Sequence, residues 1–481
     1  MQKAALGLAL SLLSAAALAA ESGDGMREFL AARAARDAEV AKSIWNWAEV
    51  GYQETKSSAL LQQELTHAGF KVEAGVAGIP TAFVASAGSG KPVIALLAEF
   101  DALPGINQDA VAERSPIAGK NSGHACGHHL FGAASVSAGI AIANWLKTSG
   151  TPGTIRVYGT PAEEGGSGKV YMVRAGLFND VDAALHWHPS DVNFGGVDKA
   201  LANKSAKFRF RGLSAHASGA PEKGRSALDG VEAMDMMANM MREHIPSDAR
   251  MHYVITSGGS APNVVPDFAE VYYYVRHMDA KTVESIFDRL VKVSEGAALG
   301  TGTTVDHEII GGTHNLLANE ALARVMNEKL NEVGGFGYSP EEQAFAAKIY
   351  ASLDTPSVPL DSHRDVQAFD FERPGLGSTD VGDVSWTVPT VGLRTATWVP
   401  GTPAHSWQAT AAGGMGIGYK GMNVASQTLA LTGKELFLRP DILAKARAEF
   451  DERRGPDFRY RALLGDRAPA LDYRKGVPGG N

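Results

Sequence analysis

The order of short apolar segments along the chain is the feature that most constrains its fold. Strand-like apolar runs, each followed by residues typical of loops, alternate with helical segments. This order predicts a buried and largely parallel sheet covered by helices, which is an α/β domain. The strand-like runs lie at 92–98, 154–158, 183–185 and 391–397, and a long apolar helix is predicted at about 130–147.

A different order interrupts this alternation between residues 199 and 312. There the pattern is strand, helix, strand, strand, helix, strand, which is typical of a ferredoxin-like unit. The predicted elements are 205–210, 224–245, 251–257, 268–276, 280–298 and 303–310. We therefore expect an inserted domain at 199–312, a catalytic domain formed by 26–198 and 313–440, and a C-terminal tail at 441–481.

The amino terminus has the pattern of a secretory signal peptide. Lys3 precedes an apolar run from Ala4 to Ala20, and Ala17-Leu18-Ala19 resembles a cleavage site. An uncleaved membrane anchor is the alternative, but the run is Ala-rich and near the lower length limit for spanning a bilayer. We predict that residues 1–20 are removed on export, to a bacterial periplasm, and that the mature protein has no membrane partner.

Charge and cysteine content exclude two classes of protein. The formal net charge is -8 and no block of Lys or Arg occurs, so a nucleic-acid partner is not expected. Cys126 is the one cysteine in 481 residues, which excludes an intramolecular disulfide framework. Histidines lie near Cys126 in the sequence, and this indicates a role in metal binding rather than in a disulfide.

The segment His124-Ala125-Cys126-Gly127-His128-His129 is the first candidate metal site. In an extended segment, residues 124, 126 and 128 project to the same side. A thiolate and two imidazoles that converge suit a borderline-soft divalent ion. A structural or reactive cysteine is the alternative, and a cysteine protease would need a histidine from elsewhere in the fold.

Three further groups of polar residues follow predicted strands. In α/β sheets, sites form at the carboxyl ends of the strands, so we expect these residues to meet there. The groups are Glu163-Glu164, His186-Trp187-His188-Pro189 and His405, with Asp101 and Asp380 as carboxylates that could orient the ligands. Of two adjacent carboxylates, one can bind metal while the other transfers protons. Either His186 or His188 could be a ligand.

Six motifs together resemble a known family. They are HACGHH, PAEEGGSGK, the His-Pro after DAALHW, GLSAHAS, APNVVPD and STDVGDVSW. In this order they are similar to the motifs of the aminoacylase/carboxypeptidase-type dinuclear metallo-amidohydrolases, and the resemblance extends over about residues 26–440. That family has a metal-binding α/β domain interrupted by a ferredoxin-like domain, called the lid (residues 199–312 here), through which two subunits dimerise.

The resemblance implies a ligand set and a general base. It implies two divalent ions per subunit, Mn²⁺ or Zn²⁺, bridged by Cys126, and it makes Glu163 the base. The other implied ligands are His128, Glu164, His188 and His405. His188 is preferred to His186 as the metal ligand. His186 and His124 would lie behind the ligands and support them. His129 departs from the family, which has Asp or Asn at that position.

The resemblance also assigns three residues of the lid. His216 would reach the partner's site and polarise the scissile carbonyl, in a homodimer or in a heterodimer with a related subunit. Asn263 and Arg276, thirteen residues apart, would hold the substrate carboxylate. The implied reaction is hydrolysis of N-acyl amino acids, with an aromatic acyl group favoured. A dipeptidase or carboxypeptidase on the same scaffold and a non-catalytic binding subunit are the alternatives.

Overall fold

A computed structural model gives the fold of residues 2–375 and 377–475; for residues 2–24 and Glu372 it gives the backbone alone. Residues 476–481, the end of the predicted tail, lie outside the described residues. The side chains of the predicted signal peptide also lie outside them, so its cleavage stays a prediction.

The strands agree closely with the apolar runs of the sequence, although most are longer by one to five residues. They are β1 (Lys71–Ala74), β2 (Phe83–Ser89), β3 (Val93–Ala98), β4 (Leu103–Pro104), β5 (Ser122–Gly123), β6 (Gly153–Gly159), β7 (Ala183–Ser190), β8 (Val197–Asp198), β9 (Ala202–Arg211), β10 (Arg250–Ser257), β11 (Phe268–His277), β12 (Thr304–Thr313), β13 (Phe371–Arg373) and β14 (Thr390–Ala396).

The helices include several in the second half of the chain for which the sequence analysis had made no assignment. They are α1 (Gln2–Trp47), α2 (Thr55–His67), α3 (His128–Ser149), α4 (Gly168–Arg174), α5 (Ala227–Met241), α6 (Ala280–Thr301), α7 (Glu320–Val333), α8 (Pro340–Ala351), α9 (Val381–Ser385), α10 (Trp407–Gly413), α11 (Gly416–Leu438) and α12 (Pro440–Arg454).

The catalytic domain is built on a six-stranded sheet in the order β1-β2-β6-β3-β7-β14. The four strands β6, β3, β7 and β14 are parallel, whereas β1 and β2 add an antiparallel edge. The prediction of a mostly parallel sheet is therefore confirmed. In such a sheet the carboxyl ends of the parallel strands lie at one edge, where their loops can build a common site.

Strand β3 lies in the middle of the sheet and is buried on both faces. Its residues alternate, so Ile94 and Leu96 pack with α3 and α11 on one face. Ala95 and Leu97 pack on the other face with residues of α4 and α9. Burial on both faces explains why this strand reads as a continuous apolar run in the sequence.

Helix α3 is central to the first of these layers. Among the described residues it is the one helix long and apolar enough to cross a membrane by length and composition. Within the fold, 89% of the apolar stretch of this helix is buried. A helix that is apolar on all sides is expected where a core surrounds it.

The lid has its own sheet and its own core, as the sequence predicts. Its four strands are antiparallel in the order β10-β11-β9-β12, and α5 and α6 cover one face. The chain order β9-α5-β10-β11-α6-β12 is that of a ferredoxin-like unit. The inserted position of this domain in the chain is thus confirmed.

The predicted C-terminal tail begins with α12 and continues across both domains. Ala462, Leu463 and Leu464 are buried, so this part of the chain is not merely laid on the surface. Its contacts extend from the lid to the loop that carries Glu164.

Two leucines of helix α6 test the packing of the lid. Leu290→Ala should lower the free energy of unfolding by about 2–5 kcal/mol, because Leu290 is fully buried in the lid core. Leu299→Ala, on the same helix but 86% exposed, should change it by less than about 0.5 kcal/mol. Denaturant unfolding followed by circular dichroism measures both. Equal losses in the two variants would contradict this arrangement of α6.

Candidate metal centre

The candidate site lies where the loops after four strands meet at the carboxyl edge of the large sheet. Asp101 follows β3, and Glu163 and Glu164 follow β6. His188 lies near the end of β7, and His405 lies beyond the end of β14. These elements are adjacent or nearly adjacent in the sheet, and this brings together residues that are up to about 300 positions apart in the sequence.

Cys126, His128 and His188 form one group of possible ligands, with ligand atoms within 4.8 Å of one another. Nδ1 of His188 donates to the carbonyl of Pro189 at 2.7 Å, which leaves Nε2 with its lone pair, 3.4 Å from the sulfur of Cys126. A hydrogen bond of this kind fixes the tautomer of a metal-binding histidine.

Cys126 also belongs to a second group, with Glu164 and His405, whose ligand atoms satisfy the same 4.8 Å limit. Nε2 of His405 lies 3.3 Å from Oε1 of Glu164. Hydrogen bonds to Cys126 and Glu164 raise the pKa of His405 to about 10. The backbone nitrogen of His405 donates to the carbonyl of Ala125, which connects the two loops. Because Cys126 is common to both groups, it has the position of a bridging ligand.

One carboxylate connects the two groups. Oδ1 of Asp101 accepts from Nδ1 of His128 at 2.9 Å, and Oδ2 accepts from the backbone nitrogen of Glu164 at 2.9 Å. Burial raises the pKa of Asp101, but the charge of His128 and these hydrogen bonds outweigh it and lower the pKa. An ionised Asp101 therefore orients one residue of each group.

The donor atoms fit a pair of divalent ions. Nε2 of His128 and Oε1 of Glu164 are buried, and among the described residues they have ion-pair partners at 3.1 Å (Glu99) and 3.3 Å (His405). Buried polar atoms need partners, and such donor atoms, converging on one place, fit a bound cation. A thiolate, imidazoles and a carboxylate are also the ligand types expected for zinc or a similar ion.

Glu163 lies beside these groups rather than in them. Its carboxylate forms a third group with Glu99 and His128, and this group shares His128 with the first. Desolvation in the cleft and the nearby carboxylates of Glu99 and Glu164 raise the pKa of Glu163 well above its usual range. So many carboxylates in one place are stable only with compensating positive charge.

A buried lysine supplies part of that charge. Nζ of Lys169 lies 2.7 Å from Oε1 of Glu99 and 2.7 Å from Oδ1 of Asp380. Oε2 of Glu99 in turn lies 3.1 Å from Nε2 of His128. Asp380, predicted to support the ligands, is thus connected to them through Lys169 and Glu99. The sequence analysis missed both of these residues.

Glu54 is a third residue that the sequence analysis missed. Its Oε1 accepts from the backbone nitrogen of Ala162 at 2.8 Å and so holds the start of the loop that carries Glu163 and Glu164. Burial and the charge of Asp101 raise the pKa of Glu54 to about 8. No local motif marks this residue, because it precedes helix α2 and lies more than a hundred positions from its partner.

The segment around Cys126 is not extended, so the expectation that 124, 126 and 128 share one side is wrong. Gly127 adopts a left-handed conformation with φ 80°, and α3 begins directly at His128. His124 points away: its Nε2 bonds the carbonyl of Ile44 at 3.1 Å, and its ring packs on His129. His129 bonds the carbonyl of Gly413 at 2.9 Å and also lies behind the site.

His186 is partly buried and lies outside both ligand groups. Its ring packs so closely on Gly392 that an added Cβ there would lie 2.4 Å from Nε2. Burial, with the charges of Lys169 and Arg394, lowers the pKa of His186 to about 3. Of the two candidate histidines of this motif, the geometry brings His188 to Cys126.

The three lid residues do not converge in one chain. His216 and Asn263 are neighbours, because Ala217 donates to the carbonyl of Asn263. Arg276 pairs with Asn203 at the other end of β11. At about 3.4 Å per residue, the eight steps from Phe268 to Arg276 span roughly 27 Å. Within one subunit, Asn263 and Arg276 therefore cannot hold the same carboxylate, and their predicted joint role requires two subunits.

His216 is exposed and has a defined tautomer. Its Nδ1 accepts from the backbone nitrogen of Gly219 at 3.0 Å, so Nε2 carries the proton and can donate outward. Nε of Arg276 is buried without a hydrogen-bond partner among the described residues, and the guanidinium lies 5.3 Å from the centre of the Tyr274 ring. Both residues are thus available for contacts outside their own domain.

Comparisons with known proteins agree with this fold. Residues 202–301 match the family model of the peptidase dimerisation domain. The chain is 41% identical to the B subunit of p-aminobenzoyl-glutamate hydrolase of Escherichia coli (strain K12) over 445 residues, 87% of this chain and 92% of that protein. It is 28% identical to Xaa-Arg dipeptidase of Mus musculus, over 85% of this chain and 88% of that protein.

A solved structure supports the same fold. The YXEP protein of Bacillus subtilis, described as a dinuclear metal-binding peptidase from the M20 family, superposes with a TM-score of 0.57 at 17% identity, over 85% of this chain and 99% of that one. The chain belongs to the M20 family of peptidases and amidohydrolases, and it is a hydrolase that acts on amide bonds. The resemblance inferred from the sequence motifs is thereby confirmed.

Two histidines of one strand test which of them binds metal. His188→Ala should lower bound metal, because it removes a donor that faces Cys126. His186→Ala should keep the metal content of the unchanged protein, since His186 belongs to neither ligand group. Elemental analysis after dialysis measures both, and the opposite pattern would reverse the assignment.

Proposed function

We propose that this protein is a metal-dependent amidohydrolase that cleaves N-acyl amino acids with an aromatic acyl group, such as p-aminobenzoyl-glutamate, and releases the free amino acid. The observation that carries the proposal is the sharing of Cys126 by two ligand groups beside Glu163. The likeness to p-aminobenzoyl-glutamate hydrolase over most of both chains supports this substrate class.

Two divalent ions, Mn²⁺ or Zn²⁺, would supply an activated water and polarise the scissile carbonyl. Their proposed ligands are Cys126 as the bridge, with His128, Glu164, His188 and His405. Asp101 keeps the ligands of both ions in place through His128 and the Glu164 backbone.

Glu163 is the proposed general base and acid. It lies next to the ligand groups without belonging to the two that share Cys126, so it is free to accept a proton from the attacking water. It then delivers that proton to the leaving amine.

His216 and the two carboxylate-binding candidates are proposed to act in a dimer. Nε2–H of His216 would donate to the oxygen of the tetrahedral intermediate in the partner's site. Asn263, at the same end of the lid, would enter that site with it, whereas Arg276 would serve the site of its own chain. The substrate carboxylate would then be held by Asn263 of one subunit and Arg276 of the other, so the distance between these residues within one chain does not prevent their joint role.

The exposed face of the lid supports a dimer. Met236 and Met240 of α5 and Val254 of the edge strand β10 are exposed, while Met234 of the same helix is buried. The methionines of α5 are thus divided between the core and a surface that a partner could cover. The partner is either a second copy or a related subunit, since the similar hydrolase of Escherichia coli has two kinds of subunit.

We also propose export to the periplasm after removal of residues 1–20.

Hydrolysis of a panel of substrates tests the proposal. Purified protein loaded with Zn²⁺ or Mn²⁺ should cleave p-aminobenzoyl-glutamate faster than simple dipeptides, and removal of metal by a chelator should abolish both activities. Faster cleavage of dipeptides would favour a dipeptidase, which the likeness to Xaa-Arg dipeptidase supports. Binding without any turnover would indicate a non-catalytic subunit.

Two adjacent glutamates should separate metal binding from proton transfer. Glu163→Gln should keep the metal content and lower kcat by at least about 100-fold, since general acid–base catalysis contributes that much. Glu164→Gln should instead lower the metal content. Elemental analysis and initial rates on the same preparations measure both effects, and near-normal turnover of Glu163→Gln would refute its role.

Mixing two inactive variants tests the shared site. His216→Ala and Glu163→Gln should each be nearly inactive as homodimers. A dimer of one chain of each has one site with an intact Glu163 and an intact His216 from its partner, so activity should return after the variants are mixed and allowed to exchange subunits. A mixture that stays inactive, with exchange shown by differently tagged chains, would contradict a site shared across the dimer.

A further inference from the structure

The C-terminal segment of residues 455–475, which follows α12, packs on both domains at once. Leu463 belongs to the core of the lid. Ala462 and Leu464, on either side of it, belong to the catalytic-domain core beneath α4 and α9. Residues 462–465 form a turn, in which the nitrogen of Gly465 donates to the carbonyl of Ala462 at 3.0 Å, and this turn anchors the segment between the two domains.

Polar contacts hold the same segment at the point where the lid joins the catalytic domain. Arg467 donates to the carbonyl of Ile310 at 2.7 Å, near the end of β12. Nε2 of His314 donates to the carbonyl of Arg461 at 3.0 Å, and the hydroxyl of Tyr460 donates to Asp383 at 2.7 Å. The position of the segment before it reaches the active site is therefore well defined.

Beyond this anchor the segment reaches the loop that carries Glu163 and Glu164. The hydroxyl of Tyr473 donates to the carbonyl of Glu164 at 3.0 Å, and Arg474 donates to the same oxygen. The ring of Tyr473 packs edge-on against Tyr52, with the ring centres 5.6 Å apart. Gly51 leaves room for the hydroxyl, because an added Cβ there would lie 2.2 Å from it.

The loop needs such support because its own backbone is strained. Ala162 and Ser167 both have left-handed conformations, with φ 58° and φ 60°, which are costly for residues with a Cβ. Such conformations persist where surrounding contacts impose them. Tyr52 supplies one contact at the end of the loop, since its hydroxyl donates to the carbonyl of Gly166 at 2.7 Å.

The peptide groups on both sides of Glu164 are held from different parts of the fold. Asp101 accepts from the nitrogen of Glu164, and Tyr473 and Arg474 donate to its carbonyl oxygen. The nitrogen of the peptide that follows Glu164 donates to the carbonyl of Glu163 at 2.7 Å. Without the donors from Tyr473 and Arg474 to its oxygen, this peptide is less restricted, and a change in its orientation alters the backbone from which the Glu164 side chain projects. The carboxylate could then leave its position opposite His405.

We propose that Tyr473 and Arg474 are positioning residues of the metal centre, which hold the carbonyl of Glu164 so that its carboxylate stays aligned with Cys126 and His405. This inference rests on the proposed function, in which Glu164 is a metal ligand. It makes the C-terminal segment a part of the active site, although neither residue reaches the ligand atoms themselves.

The affinity for Zn²⁺ alone tests the inference. In Tyr473→Phe/Arg474→Met both donors are removed, while the ring against Tyr52 and an unbranched side chain at 474 are kept. Loss of outer contacts to a metal ligand typically lowers metal affinity about 10- to 100-fold, so a fall of this size is expected. Asp472→Asn, an exposed neighbour in the same segment, is the control. Competition with a chromophoric chelator measures the affinity.

Thermal unfolding of the metal-free proteins separates positioning from general destabilisation. The double variant should melt at the same temperature as the Asp472→Asn control. If it melts at a lower temperature, the single variant Tyr473→Phe replaces it in the test. The inference then requires that Tyr473→Phe binds Zn²⁺ more weakly than the control does. Affinity equal to that of the control would overturn the inference. Glu164→Gln separates a failure of the proposed ligand set from a failure of the positioning role. If Glu164→Gln binds Zn²⁺ normally, the ligand set itself is wrong. If Glu164→Gln binds Zn²⁺ weakly but the double variant binds it normally, only the positioning role is refuted.

Discussion

The buried carboxylate of Asp101 is the interaction on which the arrangement of the site depends. It accepts from His128 at the start of a helix and from the backbone of Glu164 in a loop, and these two residues belong to different ligand groups. Asp101 follows the central strand β3, which has β6 and β7 as its neighbours, so it lies between the elements that supply the ligands. Cys126 then has both groups within reach, and a bridging thiolate becomes possible.

The crowding of acidic groups around Asp101 explains other features of the fold. Glu99, Glu163 and Glu164 lie close together, and desolvated carboxylates repel one another unless cations compensate them. Lys169 provides one fixed positive charge from within the core. The remaining negative charge is what makes the site suitable for divalent ions. Left-handed backbone at His405 and Ala162 shows that the surrounding structure imposes the loop geometry that the site requires.

Much of the fold and of the site could be predicted, because local patterns carry that information. The alternation of apolar runs predicted the sheet, and the strand–helix order predicted the lid. The motif around Cys126 identified the correct residue types, but the direction of His124 was predicted wrongly. That direction depends on the left-handed turn at Gly127 and on the start of α3, which an assumption of extended chain does not include. The resemblance paired Asn263 with Arg276, and the structure shows that most of the length of strand β11 separates them within one subunit.

The sequence by itself determined the order of the elements and the chemical types of the candidate ligands, since periodicity and short motifs are local properties. Only the tertiary structure decided which donors meet. It selected His188 over His186, joined Glu99 to Asp380 through Lys169, and brought Tyr473 to the carbonyl of Glu164. The physical reason is that these contacts join residues from 62 to 309 positions apart. Their proximity follows from strand order, helix starts and packing between domains rather than from local pattern.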